Sequence, residues 1–347
     1  MDRRYKEGLD HLQFTQEQKQ DMVEYLLDAH KEEPKVRAYH KKFKFIMIGV
    51  AAALALTAGA GAVIGGNASD WLSGVFGGGH TEIIDRIGRP VGASASGNGL
   101  KVTADAIIGD SHNACIVYTI EREDGTPFDF EPNEFGYLPL HFQSQWTDLN
   151  VLGGSHGSAW FTDNDPGDNK IQFVEVKSAD VPLGGRAKAE FHDLCYFNEE
   201  TGESEPLVEG DWKLRFNVDY EDASVQVPAG QAFTQDGMGF TVTGISLSPV
   251  ALRVEYEVDS QADWGDADSA DGRMPEDMRR QQARYFEDVP LLIHLKDGTV
   301  IDQTRAGGGI RPKGGKTYCT KGDVFERIVP VEDVQSLTVG GVEIPVQ

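Results

Sequence analysis

Only three cysteines occur in 347 residues, an odd number that no closed disulfide framework can use up. Basic residues are also scarce: 32 Lys and Arg stand against 56 Asp and Glu, a net charge of -24 at pH 7. That sign excludes nucleic acid as the main partner, because phosphate recognition needs a basic face. No His-Glu-x-x-His sequence and no Cys-x2-Cys pair is present, so no zinc site is expected. Apolar residues are not lacking. At 39 % of the chain they can fill a core, and 40 Gly with 15 Pro indicate many turns. The length exceeds one compact core and suggests two or three units.

Charge is missing altogether from one stretch. Phe45 to Gly66 are 22 residues without a charged side chain. As a helix they would rise roughly 33 Å at 1.5 Å per residue, enough to cross a hydrocarbon core. A cleaved signal peptide is the rival, since Ala58-Gly59-Ala60 and Ala60-Gly61-Ala62 both resemble cleavage sites. The 44 residues before the stretch are much longer than a signal peptide's charged leader, so a retained transmembrane helix over 45–66 is expected. Lys35, Arg37, Lys41, Lys42 and Lys44 crowd its N-terminal side, and the first basic residue beyond it is Arg86. The positive-inside rule then places the N-terminus in the cytoplasm and the long C-terminal part outside the cell membrane. Residues 1–44 carry 10 basic and 9 acidic groups, whereas the rest of the chain carries 22 and 47. Nearly all the acidity is therefore expected outside, with all three cysteines.

The cytoplasmic arm, residues 1–44, holds one helix signal. Thr15-Gln16-Glu17-Gln18 fits a capping box, and Met22, Val23, Leu26 and Leu27 then fall on one helical face before Pro34. So short an arm cannot bury that face against itself. It needs the membrane surface, another copy, or a cytoplasmic partner held helix-in-groove, and Met22, Val23, Leu26 and Leu27 are the candidate partner-binding residues.

Beyond a juxtamembrane linker read at 67–82, period-2 alternation dominates. Trp212, Leu214, Phe216, Val218 and Tyr220 alternate with polar residues, as do Leu252, Val254, Tyr256 and Val258. Weaker strands are expected at 91–96, 100–108, 114–122, 170–177, 188–197, 238–246, 290–296, 334–339 and 341–346. Turn signals separate them, among them Asn98-Gly99, Asp124-Gly125, Asp236-Gly237, Asp297-Gly298 and Gly340-Gly341. Many short strands with Gly/Asp turns argue a mainly β protein of two antiparallel β-sandwich domains, 83–225 and 226–347. Only 275–286 reads as a short helix.

Catalytic motifs are weak. Gly153-Gly154-Ser155-His156-Gly157 matches a serine elbow, which needs a strand before it and a helix after it. A turn-rich stretch follows instead, so a Gly/Ser loop is the better reading. Gly109-Asp110-Ser111-His112 reads as a turn between strands. Gly315-Lys316-Thr317 resembles the end of a phosphate loop, but Ile310 stands where that loop needs glycine. The acidic segments 163–169 and 266–272 offer hard oxygens without the calcium-loop register and read as surface turns. No catalytic residue, metal ligand or cofactor is expected. Cys115 and Cys195 lie in expected strands, as core residues or as a bridge that would leave one thiol over.

The run Ile84-Asp85-Arg86-Ile87-Gly88-Arg89-Pro90-Val91-Gly92, continuing through Leu100-Lys101-Val102-Thr103, is similar to an extracytoplasmic domain of unknown function in Gram-positive bacteria. So is Cys115-Ile116-Val117-Tyr118 with Asp124-Gly125-Thr126-Pro127-Phe128. The closing Val339-Gly340-Gly341-Val342-Glu343-Ile344-Pro345 resembles the end of the immunoglobulin-like domain often attached to it. The resemblance, specific only over 84–128, is to membrane-anchored anti-sigma-factor-like proteins. It implies a single-pass regulator that senses an extracytoplasmic condition and holds a cytoplasmic sigma factor through its arm. The arm has no Cys, so the His-x3-Cys-x2-Cys zinc site of some such arms is missing. The alternative is an anchored surface-binding or adhesion module, with the bilayer and an unidentified external ligand as its partners.

Overall fold

The computed structural model describes residues 66–149, 154–198, 201–263 and 275–346. The arm, with Met22, Val23, Leu26 and Leu27, and the uncharged stretch up to residue 65 lie outside them. Among the described residues no helix is long and apolar enough to cross a membrane. The described part is mainly β, built of several antiparallel sheets.

It opens with two short helices, α1 (Ser69–Phe76), within the stretch read as a linker, and α2 (Thr81–Ile87). Asp85 of α2 accepts the Ser69 backbone N–H at 2.8 Å and so ties the start of α1 to its neighbour. Each helix turns an apolar face inward: Leu72 and Phe76 from α1, and Ile83, Ile84 and Ile87 from α2.

Eight strands follow: β1 (Arg89–Gly97), β2 (Leu100–Gly109), β3 (Asn113–Arg122), β4 (Leu140–Asp148), β5 (Ser155–Thr162), β6 (Lys170–Ala179), β7 (Gly185–Asn198) and β8 (Glu203–Val218). They form one sheet in the order β1-β2-β3-β6-β5 and another in the order β4-β7-β8. Asn98 and Gly99 both have positive φ, 52° and 82°, which fits the tight hairpin between β1 and β2. The two sheets share a core rich in rings. Phe142 lies 4.7 Å from Phe191 and 5.3 Å from Phe173, and Tyr118 meets Phe191 edge-on at 5.1 Å. Contacts of this kind add about 0.5–1.5 kcal/mol each beyond the area they bury. Trp212, fully buried, directs its Nε1–H to the Gly97 carbonyl at 3.3 Å and so closes the layers along β1.

The remaining chain runs β9 (Val225–Gln226), β10 (Ala232–Gln235), β11 (Met238–Leu247), β12 (Ala251–Val258), α3 (Glu276–Gln282), a π-helical turn (Ala283–Glu287), β13 (Leu291–Leu295), β14 (Val300–Asp302), β15 (Gly308–Lys313), β16 (Lys316–Val324), β17 (Val334–Val339) and β18 (Val342–Pro345). A sheet β10-β11-β12-β16-β15, with β9 beside β11, faces a sheet β14-β13-β17-β18 over a second core. Lys321 points into that core and is 1 % exposed. Its ammonium donates to the carbonyls of Phe286 (2.7 Å) and Val289 (2.8 Å), at the end of the π-helical turn. Burial pulls the Lys321 pKa down to about 8.

A third apolar cluster joins the parts. The inward faces of α1 and α2 pack on Ala106, Ile108, Cys115, Val117, Val174 and Val176, which line the outer face of the first sheet. Val250, Ala251 and Ile328 enter the same cluster from the second pair of sheets. The helices are therefore embedded where the two pairs meet.

Candidate functional site

The first and second sheets close well along β1 and β8 but part along their other edges, β4 and β5. Between them opens a cleft of about 280 Å³, lined by Gln145, Ser155, Gly157, Glu175 and Lys177 among others. Its position follows from the inward face of β6. Ile171 and Phe173 sit in the dry core, and two residues further each time come Glu175 and Lys177. An apolar face that turns charged toward its end cannot pack dry, so the layers open there.

Glu175 is 5 % exposed, yet its carboxylate is well served. Oε2 accepts from the Thr147 hydroxyl at 2.6 Å and from the Tyr118 hydroxyl at 3.4 Å, and Oε1 lies 3.6 Å from Lys177 Nζ. The Lys177 ammonium also donates to the Thr147 carbonyl on β4. Burial first, and then the Glu175 charge, hold the Tyr118 phenol well above its ordinary pKa. Tyr118 and Thr147 thus act as neutral donors that fix the carboxylate. The arrangement sets a buried carboxylate beside a partly exposed ammonium on the wall of the cleft.

β5 supplies the other wall. Gly157 has no room for a side chain: a Cβ there would stand 2.0 Å from the Val176 carbonyl oxygen. From Ser155 on, the Gly-x-Ser-x-Gly segment read as a loop is an edge strand, with Ser155 at its first position. A turn and then β6 follow, so the strand-to-helix turn of a serine elbow is not formed.

The other singled-out residues fall elsewhere. Asp110, Ser111 and His112 make the turn from β2 to β3, and Gly315-Lys316-Thr317 begins β16. Carboxylates of the 163–169 segment accept their own backbone N–H groups, Asp163 from Asp165 at 2.9 Å and Asp168 from Lys170 at 2.7 Å. Residues 264–274 lie outside the described part, and with them the whole of the second acidic segment. Among the described residues no cluster of His, Cys, Asp and Glu has metal-holding geometry. Cys115, Cys195 and Cys319 are buried free thiols. Burial pushes Cys115 and Cys319 up to about 12, which keeps both as unreactive thiols at neutral pH. The sequence reading did not single out Glu175 or Lys177; the signal was the break they make in the apolar face of β6.

No family model matches the chain, and no curated protein matches it. Among solved structures it is similar to one described as the crystal structure of the conserved domain protein from Bacillus anthracis. The two share 15 % identity over 72 % of this chain and 75 % of that one, with a TM-score of 0.45.

Proposed function

We propose that this chain is a single-pass membrane regulator. Its arm, 1–44, faces the cytoplasm and holds a sigma factor through Met22, Val23, Leu26 and Leu27. Residues 45–66 span the bilayer, and two β-sandwich domains, the second immunoglobulin-like, stand outside and sense an external condition. The observation that carries the reading is the placement of α1. It begins at Ser69, three residues after the uncharged stretch ends, and its Leu72 is fully buried in the cluster shared by both pairs of sheets. This packing supports a role for α1 beyond that of a passive tether. A shift of one pair of sheets against the other would be felt at α1, next in sequence to the proposed span.

The test is co-purification of the full chain from its own cells, beside a chain with Met22, Val23, Leu26 and Leu27 all replaced by alanine. A sigma factor recovered with the first and not the second supports the reading. Recovery with neither, or equally with both, overturns it. The charged cleft favours the alternative, an anchored binding module whose arm has no partner; ligand binding outside with no cytoplasmic partner at all would establish that instead.

A further inference from the structure

β5 is an edge strand whose backbone is only partly used. At Phe161 its carbonyl accepts the Leu138 N–H at 2.9 Å, an isolated antiparallel bridge on the side away from β6. Backbone direction alternates along a strand, so Ala159, Gly157 and Ser155 also direct N–H and C=O away from β6. Among the described residues nothing pairs with them there. Their side chains are small, and all three residues are exposed. The neighbouring edges are defended differently: β1 is bulged between Pro90 and Ala93, and β15 carries Arg311, Pro312 and Lys313. The end of β4 facing the cleft has its Thr147 carbonyl taken by Lys177. Among the described residues, β5 offers a bare row of three outward residues beside a cleft.

We infer that the open edge of β5 takes up an extended peptide of net positive charge as an added strand, one of whose side chains enters the cleft to meet Glu175 and Lys177. The Leu138 bridge shows that this edge accepts antiparallel pairing, and main-chain bonds at Ser155, Gly157 and Ala159 would continue the same line. Charge decides between occupants. The chain carries -24, so a second copy meets long-range repulsion while a basic segment is drawn in. This deepens the proposed function by naming the class of external ligand, and it rests on that reading only in treating the peptide as the signal.

The test selects from a random library of nine-residue peptides against the full-length protein in lipid nanodiscs. Selected peptides are made plain and with alternate amides N-methylated. Expected are basic peptides whose binding slows hydrogen exchange at Ser155, Gly157 and Ala159. Their affinity should fall at least tenfold on N-methylation and in Ala159→Pro, which removes an outward N–H and no bond to β6. The N-methylated peptides carry the test even where the proline variant unfolds. Four results overturn the inference: no selected peptide, affinity unchanged by N-methylation, protection confined to another surface, or a dimer joined through β5. None of them involves the arm, so failure here and failure of the sigma-factor reading are told apart.

Discussion

Ser248 Oγ donates to Asp110 Oδ2 across 2.8 Å, and both side chains are buried. The bond joins the turn after β11 to the turn after β2, 138 residues apart. Asp110 Oδ1 meanwhile accepts from the backbone of His112 and Asn113, both at 2.9 Å, and Ser248 Oγ accepts from the Ala251 N–H at 3.0 Å. Arg253 adds a bond to the Ala179 carbonyl at 3.1 Å. The two pairs of sheets thus meet through a satisfied polar seam beside the apolar cluster that holds α1 and α2.

Because Asp110, Asn113 and Ser248 are buried in that seam, removing one leaves others unpaired. Ser248→Ala should cost about 1–2 kcal/mol and Asp110→Ala more, about 3 kcal/mol, since four backbone and side-chain donors then lose their acceptor. The double variant should lose clearly less than the two separate losses combined, by about 1 kcal/mol, in urea midpoints. Full additivity would mean that the bond couples nothing.

The embedding of α1 has its own signature. Leu72 is fully buried, and Leu72→Ala should destabilise by about 3 kcal/mol through lost burial and the cavity left behind. A residue in a mere linker would cost under about 0.5 kcal/mol. Urea unfolding of the two proteins separates these values directly.

Asp105 sets a pH dependence. It sits at the bulge of β2 between Ala104 and Ala106, 5 % exposed, with Oδ2 lacking any partner. Burial pushes its pKa from 3.8 up to about 6, against the lowering effect of Thr119, Lys170 and Lys101. The folded chain therefore binds this proton more tightly than the unfolded chain. The stability it lends is fully present below pH 3.8 and is lost as pH rises through about 6, a change of about 3 kcal/mol. Asp105→Asn should lack that loss: its stability relative to the wild type should rise between pH 4 and pH 7. Parallel pH profiles would contradict this.

The sequence shows the alternating strands because one of their faces is wet and the other dry, as in Leu252, Val254, Tyr256 and Val258 of β12. The Asp236-Gly237 turn was legible for a different reason: both residues take positive φ, 50° and 75°, which few other pairs tolerate. β5 was not legible. An edge strand with no fully buried residue in Ser155-His156-Gly157-Ser158-Ala159 has no period to display. β16 hid for the opposite reason. It is central and buried, but its inward positions are Thr317, Cys319 and Lys321, polar choices explained only by the bonds they make. The helices α1 and α2, at eight and seven residues, are too short for their spacing to stand out from a linker. Of the candidate site, the sequence singled out the Gly-x-Ser-x-Gly segment, read as a loop, from which Ser155 and Gly157 line the cleft.

The central claim is that the chain stands across a membrane with its arm inside. Cysteine labelling in intact cells tests it most directly, with low background because the native thiols are buried. Single variants Lys6→Cys in the arm and Glu123→Cys, exposed in the turn after β3, would be treated with a membrane-impermeant maleimide. The account requires Glu123→Cys to label in intact cells and Lys6→Cys only after lysis. Equal labelling at both positions before lysis, or at neither, would contradict it.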